Sequence, residues 1–416
     1  MTSVLIHNFG CRVNQAEAFG WAEELQSGGL RLERDIERSD LVVVNTCTLT
    51  NRAEADVRRF LRKVVRLNPS ARLVLTGCSV ALNRARFEEG PRVWLVVPNE
   101  DKARLVDRIL DLVGTAAAPR RAEPFRSRAL VKIQDGCDFR CAFCIIPSVR
   151  GGGRSLPAAE VLSKVRRFAD QGFAEVVLSG VHLSSFGTDL VPRTSLLDLL
   201  ATLEERAGGI RLRLSSLDPR FLTAELLDFF AASKTVCPHF HLSLQSGSDA
   251  VLERMGRRIG VARFDEILSG LAARLPGAAL GADIIVGFPG ESDEEFERTR
   301  RFVEESPLTY LHVFSYSPRP GTAAAALPQL DARFKKERSA SLRALAVDKN
   351  FAFRRALRGW EFEAVVIKRR GAGGEVLTTN YVKIRVADGL PEVKARIRVR
   401  IGEVTSAATE GRVCDP

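Results

Sequence analysis

Cys137, Cys141 and Cys144 fall within one short run, QDGCDFRCAFCII, with three and then two residues between them. Soft thiolates grouped in this way hold an iron–sulfur cluster or zinc. A structural zinc site closes with four ligands, yet no fourth Cys or His is near, and the next histidine downstream is His182. Three thiolates on a four-iron cluster leave one iron open, and an open position separates a reacting metal centre from a structural one. The competing reading is a zinc knuckle completed by a remote ligand.

A second set of three is dispersed. Cys11 in FGCRVN, Cys47 in NTCTLT and Cys78 in TGCSVA each close a short apolar run. In an open parallel sheet the carboxyl ends of the strands share one edge, where ligands bind, so three thiols distant in sequence would converge there. The alternative is coincidence, because free cysteines are common in buried strands. Cys237 opens an apolar strand and Cys414 lies at the end of the sequence; neither is assigned a role.

The elements that must position these residues fall into three segments. SVLIHNFGC, DLVVVNTC, ARLVLTGCS and VWLVVPNE read as buried parallel strands, separated by helical patterns, and imply an α/β open sheet over residues 1–117. TAAAPRRAEPF reads as a linker. Residues 123–355 repeat the alternation with six strand candidates, ALVKIQD, EVVLSGVHL, RLRLSSLD, HFHLSLQS, ADIIVGFPG and YLHVFSYSP. Six strand–helix units fit a partial (β/α) barrel with its chemistry at the C-terminal strand ends, and a doubly wound sheet is the alternative. Residues 356–416 alternate apolar and polar positions between Gly-rich turns, as in a small antiparallel β-barrel of about five strands. There Arg396, Arg398 and Arg400 share one face.

A chain of 416 residues with 45% hydrophobic and 27% charged residues is globular and of several domains. Neither a signal peptide nor a membrane span is expected, and eight cysteines in a cytoplasmic chain favour metal or redox chemistry over disulfides. The net charge is +11, and from Arg333 onward 19 Lys and Arg face 10 Asp and Glu, a difference of +9. Such a basic region is the footprint of a polyanion-binding surface, with a merely solvated basic face as the alternative.

The Cys-x3-Cys-x-Phe-Cys loop at the start of a strand–helix barrel resembles that of the radical S-adenosylmethionine enzymes. Across its three segments the chain resembles the methylthiotransferases among them, with a C-terminal RNA-binding module of the TRAM type. GCRVNQAE, NTCTLT, LSGVHLSSFG, RLRLSSLDP, CPHFHLSLQSGSDAVLERMGRR, DIIVGFPGE and LHVFSYSPRPGT are most similar to the branch acting on threonylcarbamoyladenosine in tRNA. The isopentenyladenosine branch usually has Gln-Met in place of Arg12-Val13, and the ribosomal-protein branch Pro-Lys. Two departures stand out: Arg12 replaces a more usual lysine, and Gly152 and Gly153 replace bulkier polar residues.

The resemblance implies two 4Fe-4S clusters. One, on Cys137, Cys141 and Cys144, would bind S-adenosylmethionine at its open iron and generate a radical. The other, on Cys11, Cys47 and Cys78, would carry the sulfur delivered as a methylthio group to carbon 2 of the adenine. It further implies the tRNA anticodon loop as substrate, an electron donor such as flavodoxin or ferredoxin, a sulfur donor and a monomeric state. A non-catalytic zinc-containing RNA-binding protein is the reading from another class.

For the cofactor, Phe143, Gly180, Ser215, Gln245 and Gly287 are candidates, with core packing as the alternative. Arg150 and Arg154 are candidates for phosphate or a substrate carboxylate. Asn14 and Asn45 are candidates for positioning substrate, or else turn residues, and Lys368, Arg369, Arg370, Lys383 and Arg385 for the RNA backbone.

Overall fold

The computed structural model describes residues 2–114 and 126–414; the expected linker TAAAPRRAEPF lies outside them. The first segment is a five-stranded parallel sheet of β1 (Ser3–Asn8), β2 (Arg31–Leu32), β3 (Leu41–Thr46), β4 (Arg72–Gly77) and β5 (Val93–Val97), in the order β2-β1-β3-β4-β5. Alternate residues serve opposite faces. Val4, Val43 and Val74 pack with Trp21 and Leu25 of α1 (Arg12–Ser27), whereas Leu5, Val42, Val44 and Leu75 pack with Val64 of α2 (Asn51–Leu67). The strand order reverses between β1 and β3, and a crevice at that reversal is where such sheets bind ligands. Cys11 follows β1 and Cys47 follows β3, so both stand at its rim.

The second segment carries the six expected strands: β6 (Ala129–Asp135), β8 (Glu175–Gly180), β9 (Arg211–Leu214), β10 (His239–Gln245), β11 (Ala279–Val286) and β12 (Tyr310–Ser315), with a short β7 (Arg154–Ser155) antiparallel to β6. They form two sheets, β7-β6-β8-β9 and β10-β11-β12, linked by bridges from Leu212 to Val236 and from Leu217 to Leu242. Neighbours in space are neighbours in sequence, so no reversal occurs, and the doubly wound alternative gives way to an open partial barrel. One apolar core lies between strands and helices, including Val176, Leu178, Leu212, Phe240, Leu242, Phe264, Leu280 and Ile284.

The third segment closes a barrel of β13 (Glu361–Arg370), β14 (Gly373–Thr378), β15 (Lys383–Val386), β16 (Arg396–Val404) and β17 (Thr409–Val413) around Val366, Val376, Ile384, Val399 and Ile401. It is not wholly antiparallel, because β15 pairs with β17 in parallel. Arg396, Arg398 and Arg400 share the exposed face, as their alternation requires. Among the described residues no helix is long and apolar enough to cross a membrane.

The helix α1 serves two cores. Ala18, Trp21 and Leu25 enter the first sheet's core, while Ala16 and Phe19 enter the barrel's. Phe19 sits 5.5 Å from the ring of Phe168 and 6.1 Å from Phe173. Phe19→Ala should cost about 3–5 kcal/mol by cavity formation. A guanidinium titration that leaves the unfolding midpoint unchanged would show that this junction contributes little.

Candidate active site

The C-terminal ends of β1, β3 and β4 bring Cys11, Cys47 and Cys78 together. Cys11 caps α1, and Cys78 begins the helix Cys78–Leu82. Gly10, at φ +92°, lets the first loop close over the second, since a Cβ there would lie 2.6 Å from Cys47 Sγ. The Asn14 amide donates to the carbonyls of Phe9 (2.9 Å) and Thr46 (3.0 Å), and Ser79 Oγ donates to the Cys47 carbonyl (2.6 Å), tying the three loops to one another. Burial pushes the Cys47 thiol up to about 12, with Cys11 and Cys78 adding to the effect; burial likewise raises Cys11.

Cys137, Cys141 and Cys144 lie in the loop after β6. Cys137 N–H donates to the Gly151 carbonyl (3.0 Å), and Ala142 N–H to the Met255 carbonyl (2.9 Å). Gly136 is obligatory: φ is +70°, and a Cβ would stand 1.8 Å from the Gly152 carbonyl oxygen. The unusual Gly152 and Gly153 make room for the Asp138 carboxylate, 2.8 Å from the place a Cβ would take on either, and Gly153 N–H donates to it at 3.1 Å. Burial raises Cys137, and raises Cys144 to about 12. Cys78, Cys137 and Cys144 border one apolar cluster with Ile145, Ile146 and Val149, so the two cysteine sets meet across the helix Ile146–Arg150.

The donor chemistry of both sets fits four-iron clusters better than single zinc ions. Four thiolates around one zinc at about 2.3 Å would stand only ~3.8 Å apart. Among the described residues the one Cys/His/Asp/Glu trio whose ligand atoms all lie within 4.8 Å of one another is His241, Asp283 and His312, so neither cysteine set is drawn in that tightly. Cys11, Cys47, Cys137 and Cys144, four thiols raised by burial, would lose their protons to a metal that offsets the thiolate charge.

Between the two sets lies a buried charge network absent from the sequence reading. Glu17 on α1 accepts from Lys102 (2.7 Å), Lys132 (3.0 Å) and Arg150 (3.1 Å); Asp135 accepts from Lys132 (2.9 Å) and Arg150 (2.7 Å). Burial pushes Glu17 up, but Lys102, Lys132 and Arg150 outweigh it and hold the carboxyl far below its usual range. Arg150 also donates to Asn14 Oδ1, and its side chain is 1% exposed. This corrects the expectation of a substrate or phosphate contact: Arg150 is spent within the protein. Asn14 and Asn45 are corrected likewise. Both are fully buried, and Asn45 donates to the Asn14 carbonyl and Glu17 (each 3.1 Å) and accepts from Lys102 (3.2 Å). They brace the cysteine loops.

The other candidates are scattered more widely. Gly180 N–H lies 3.4 Å from Ser215 Oγ at neighbouring strand ends, and Gln245 ends β10 at φ +85°, a strained conformation for a residue with a side chain. Phe143 packs into an apolar group with Met255, Phe288 and Tyr316, as a loop anchor. The space over Gly287 is filled by the side chain of Lys335, where a Cβ would come within 2.4 Å. Arg154 is exposed on β7. Lys368, Arg369, Arg370, Lys383 and Arg385 are all exposed, with Lys368 and Arg385 flanking Glu375 in register across β13, β14 and β15.

The sequence reading also missed a histidine-rich wall. Phe240 and Leu242 face the helices, so His239 and His241 face the opposite side of the sheet. His241 Nε2 lies 2.9 Å from Asp283, His312 Nδ1 lies 3.4 Å from it, and Tyr310 Oη joins His239 (2.8 Å) to His241 (3.1 Å). The third segment reaches this wall through the turn Thr378–Tyr381. The Tyr381 ring stacks on His239 at 4.2 Å, its hydroxyl accepts from Arg12 (2.6 Å), and buried Arg213 donates to the carbonyls of Thr378 (3.1 Å) and Thr379 (2.9 Å). The alternation His239, His241 was the signal available in the sequence.

A partial parallel barrel with three cysteines in the loop after its first strand defines the class. A family model for the Radical SAM superfamily matches residues 131–303, and another, Uncharacterized protein family UPF0004, matches residues 3–97. The radical S-adenosylmethionine methyltransferase TsrM from Kitasatospora setae shares the fold with a TM-score of 0.56 at 15% identity, covering 78% of this chain and 77% of that one. Threonylcarbamoyladenosine tRNA methylthiotransferases are similar in sequence: that of Rickettsia prowazekii is 37% identical over 81% of each chain, and that of Bacillus subtilis 36% over 83% of this chain and 80% of the relative. The enzyme of Aquifex aeolicus is 34% identical over 96% of this chain and all of its own length. The chain belongs to the threonylcarbamoyladenosine tRNA methylthiotransferase family, whose superfamily works with S-adenosylmethionine and 4Fe-4S clusters.

Removing one partner from the Glu17 network leaves a buried charge uncompensated, at about 3–5 kcal/mol. Glu17→Gln should therefore lower the urea midpoint strongly at pH 7, and adding Lys102→Met should recover part of the loss. Equal, additive losses for the two substitutions would contradict a coupled network.

Proposed function

We propose that this chain transfers a methylthio group to carbon 2 of threonylcarbamoyladenosine beside the anticodon of tRNA. The observation that carries the reading is similarity to such enzymes over essentially the whole chain, joined to two three-cysteine sets that meet across one short helix. Cys137, Cys141 and Cys144 would hold one 4Fe-4S cluster, and Cys11, Cys47 and Cys78 the other. When bound, these clusters and S-adenosylmethionine supply the radical and sulfur chemistry that an unactivated aromatic C–H bond requires, since no side-chain base can remove that hydrogen as a proton.

The chain's own residues do the positioning. Asn14, Asn45 and Ser79 set the first three cysteines, while Gly136 and the Met255 carbonyl set the second three. Glu17 and Arg150 fix one set relative to the other, and Ile145, Ile146 and Val149 keep water from between them. Residues 1–117, 123–355 and 356–416 act as the cluster domain, the radical barrel and the RNA-binding module. Gly180, Ser215 and Gln245 face the cofactor; Arg154, Lys368, Arg369, Arg370, Lys383 and Arg385 meet RNA phosphates. The protein works as a cytoplasmic monomer, with electrons from a flavodoxin or ferredoxin and sulfur from a separate donor.

The test is nucleoside analysis of tRNA from a host lacking this activity, with and without the gene. The expected result is methylthio-threonylcarbamoyladenosine only where the gene is present. Methylthiolated isopentenyladenosine instead would place the chain in the sibling branch, and unchanged tRNA would refute the reading.

A further inference from the structure

One surface remains that neither cysteine set nor the barrel interior uses: a cleft of about 560 Å³ where the three segments meet. Among the described residues twelve line it, of which seven are Lys or Arg and none is Asp or Glu. Arg12 and Arg34 come from the first segment, Arg126 and Arg128 from the entry to the barrel, and Lys368 and Arg369 from the C-terminal barrel.

The cations differ in how far the protein neutralises them. Arg128 pairs with Glu175 (3.0 Å) and Arg369 with Glu392 (2.8 Å). Among the described residues Arg12 bonds two neutral partners, Gln15 (3.2 Å) and Tyr381 (2.6 Å). Arg34, Arg126 and Lys368 have no carboxylate partner among the described residues. Arg126 is the sharpest case: it is half-buried, and burial together with its neighbours Arg12 and Arg128 holds the guanidinium below its usual range. A half-buried cation flanked by cations is costly until an anion arrives.

We infer that this interdomain cleft binds the phosphate backbone of the RNA substrate, gripping it with all three segments at once. The inference rests on the tRNA reading above. Guanidinium forks match phosphate geometry, and a concave cleft suits a nucleic-acid backbone better than a flat patch would. One of its lining residues, Arg12, is next in sequence to Cys11, so RNA seated there lies near the first cysteine set. Arg12 also holds Tyr381, which stacks on His239, so the cleft abuts the wall inside the barrel.

The test compares binding of tRNA by the full-length reconstituted protein, its Arg126→Glu and Lys368→Glu variants, the double variant, and a control, Arg301→Glu, on an exposed site outside the cleft. The double variant should raise Kd at least tenfold and reduce the slope of log K against log salt by about 1.5, as expected when two phosphate contacts are lost. Its unfolding midpoint and iron content should match those of the wild type, and the control should bind normally. Wild-type Kd and slope in a folded double variant would overturn the cleft. So would normal RNA binding with slowed reduction by an acidic flavodoxin, which would assign the cleft to the redox partner. A wild-type chain that binds no tRNA would instead sink the tRNA reading on which the cleft rests.

Discussion

Two carboxylates and three cations, buried or half-buried between the first sheet and the barrel, fix where the chemistry can happen. Glu17 reaches from α1 to Lys132 and Arg150 of the barrel, and Asp135 answers from the end of β6. Charges this deep cost several kcal/mol each to desolvate, so such a network is poor value as plain stability. Its worth lies in orientation. Asn14, one turn beyond Cys11, shares Arg150 with Asp135, two residues before Cys137. A rotation of the first sheet against the barrel would break several charged hydrogen bonds together. The network also carries three positive charges against two negative, beside thiols that would become thiolates on taking up iron.

The C-terminal barrel is joined to this arrangement by the turn Thr378–Tyr381. Thr378, Thr379 and Tyr381 meet Arg213, His239 and Arg12, residues of the other two segments. Tyr381 adopts φ +67°, a conformation that costs energy and is held here by the stacked ring and the bonded hydroxyl. All three segments thus converge on Tyr381, and the barrel's histidine wall is continuous with the domain that carries the exposed basic strands.

Much of this was legible in the sequence because it rests on local pattern. The four long strands of the first sheet, the six of the barrel and the alternating strands of the last segment all declared themselves by periodicity. Both cysteine sets were legible from their place at strand ends. The polar residues were not, for a physical reason. Arg150 beside a glycine run reads as a phosphate ligand, yet its fate depended on Glu17, more than a hundred residues away. Asn14 and Asn45 read as substrate contacts because buried asparagines bracing a loop have no sequence signature. The groups on the barrel's inner face escaped notice for a related reason: His241, Asp283 and His312 become a cluster only when β10, β11 and β12 are laid side by side.

If the two cysteine sets are separate cluster sites, each should load with iron when the other is removed. Iron and sulfide analysis with EPR, after anaerobic reconstitution of the wild type and of the Cys11→Ala, Cys47→Ala, Cys78→Ala triple variant, tests it most directly. The expected result is about eight iron atoms per wild-type chain and about four in the variant, each as 4Fe-4S species. A colourless wild-type protein holding only zinc, or a variant with undiminished iron, would contradict it.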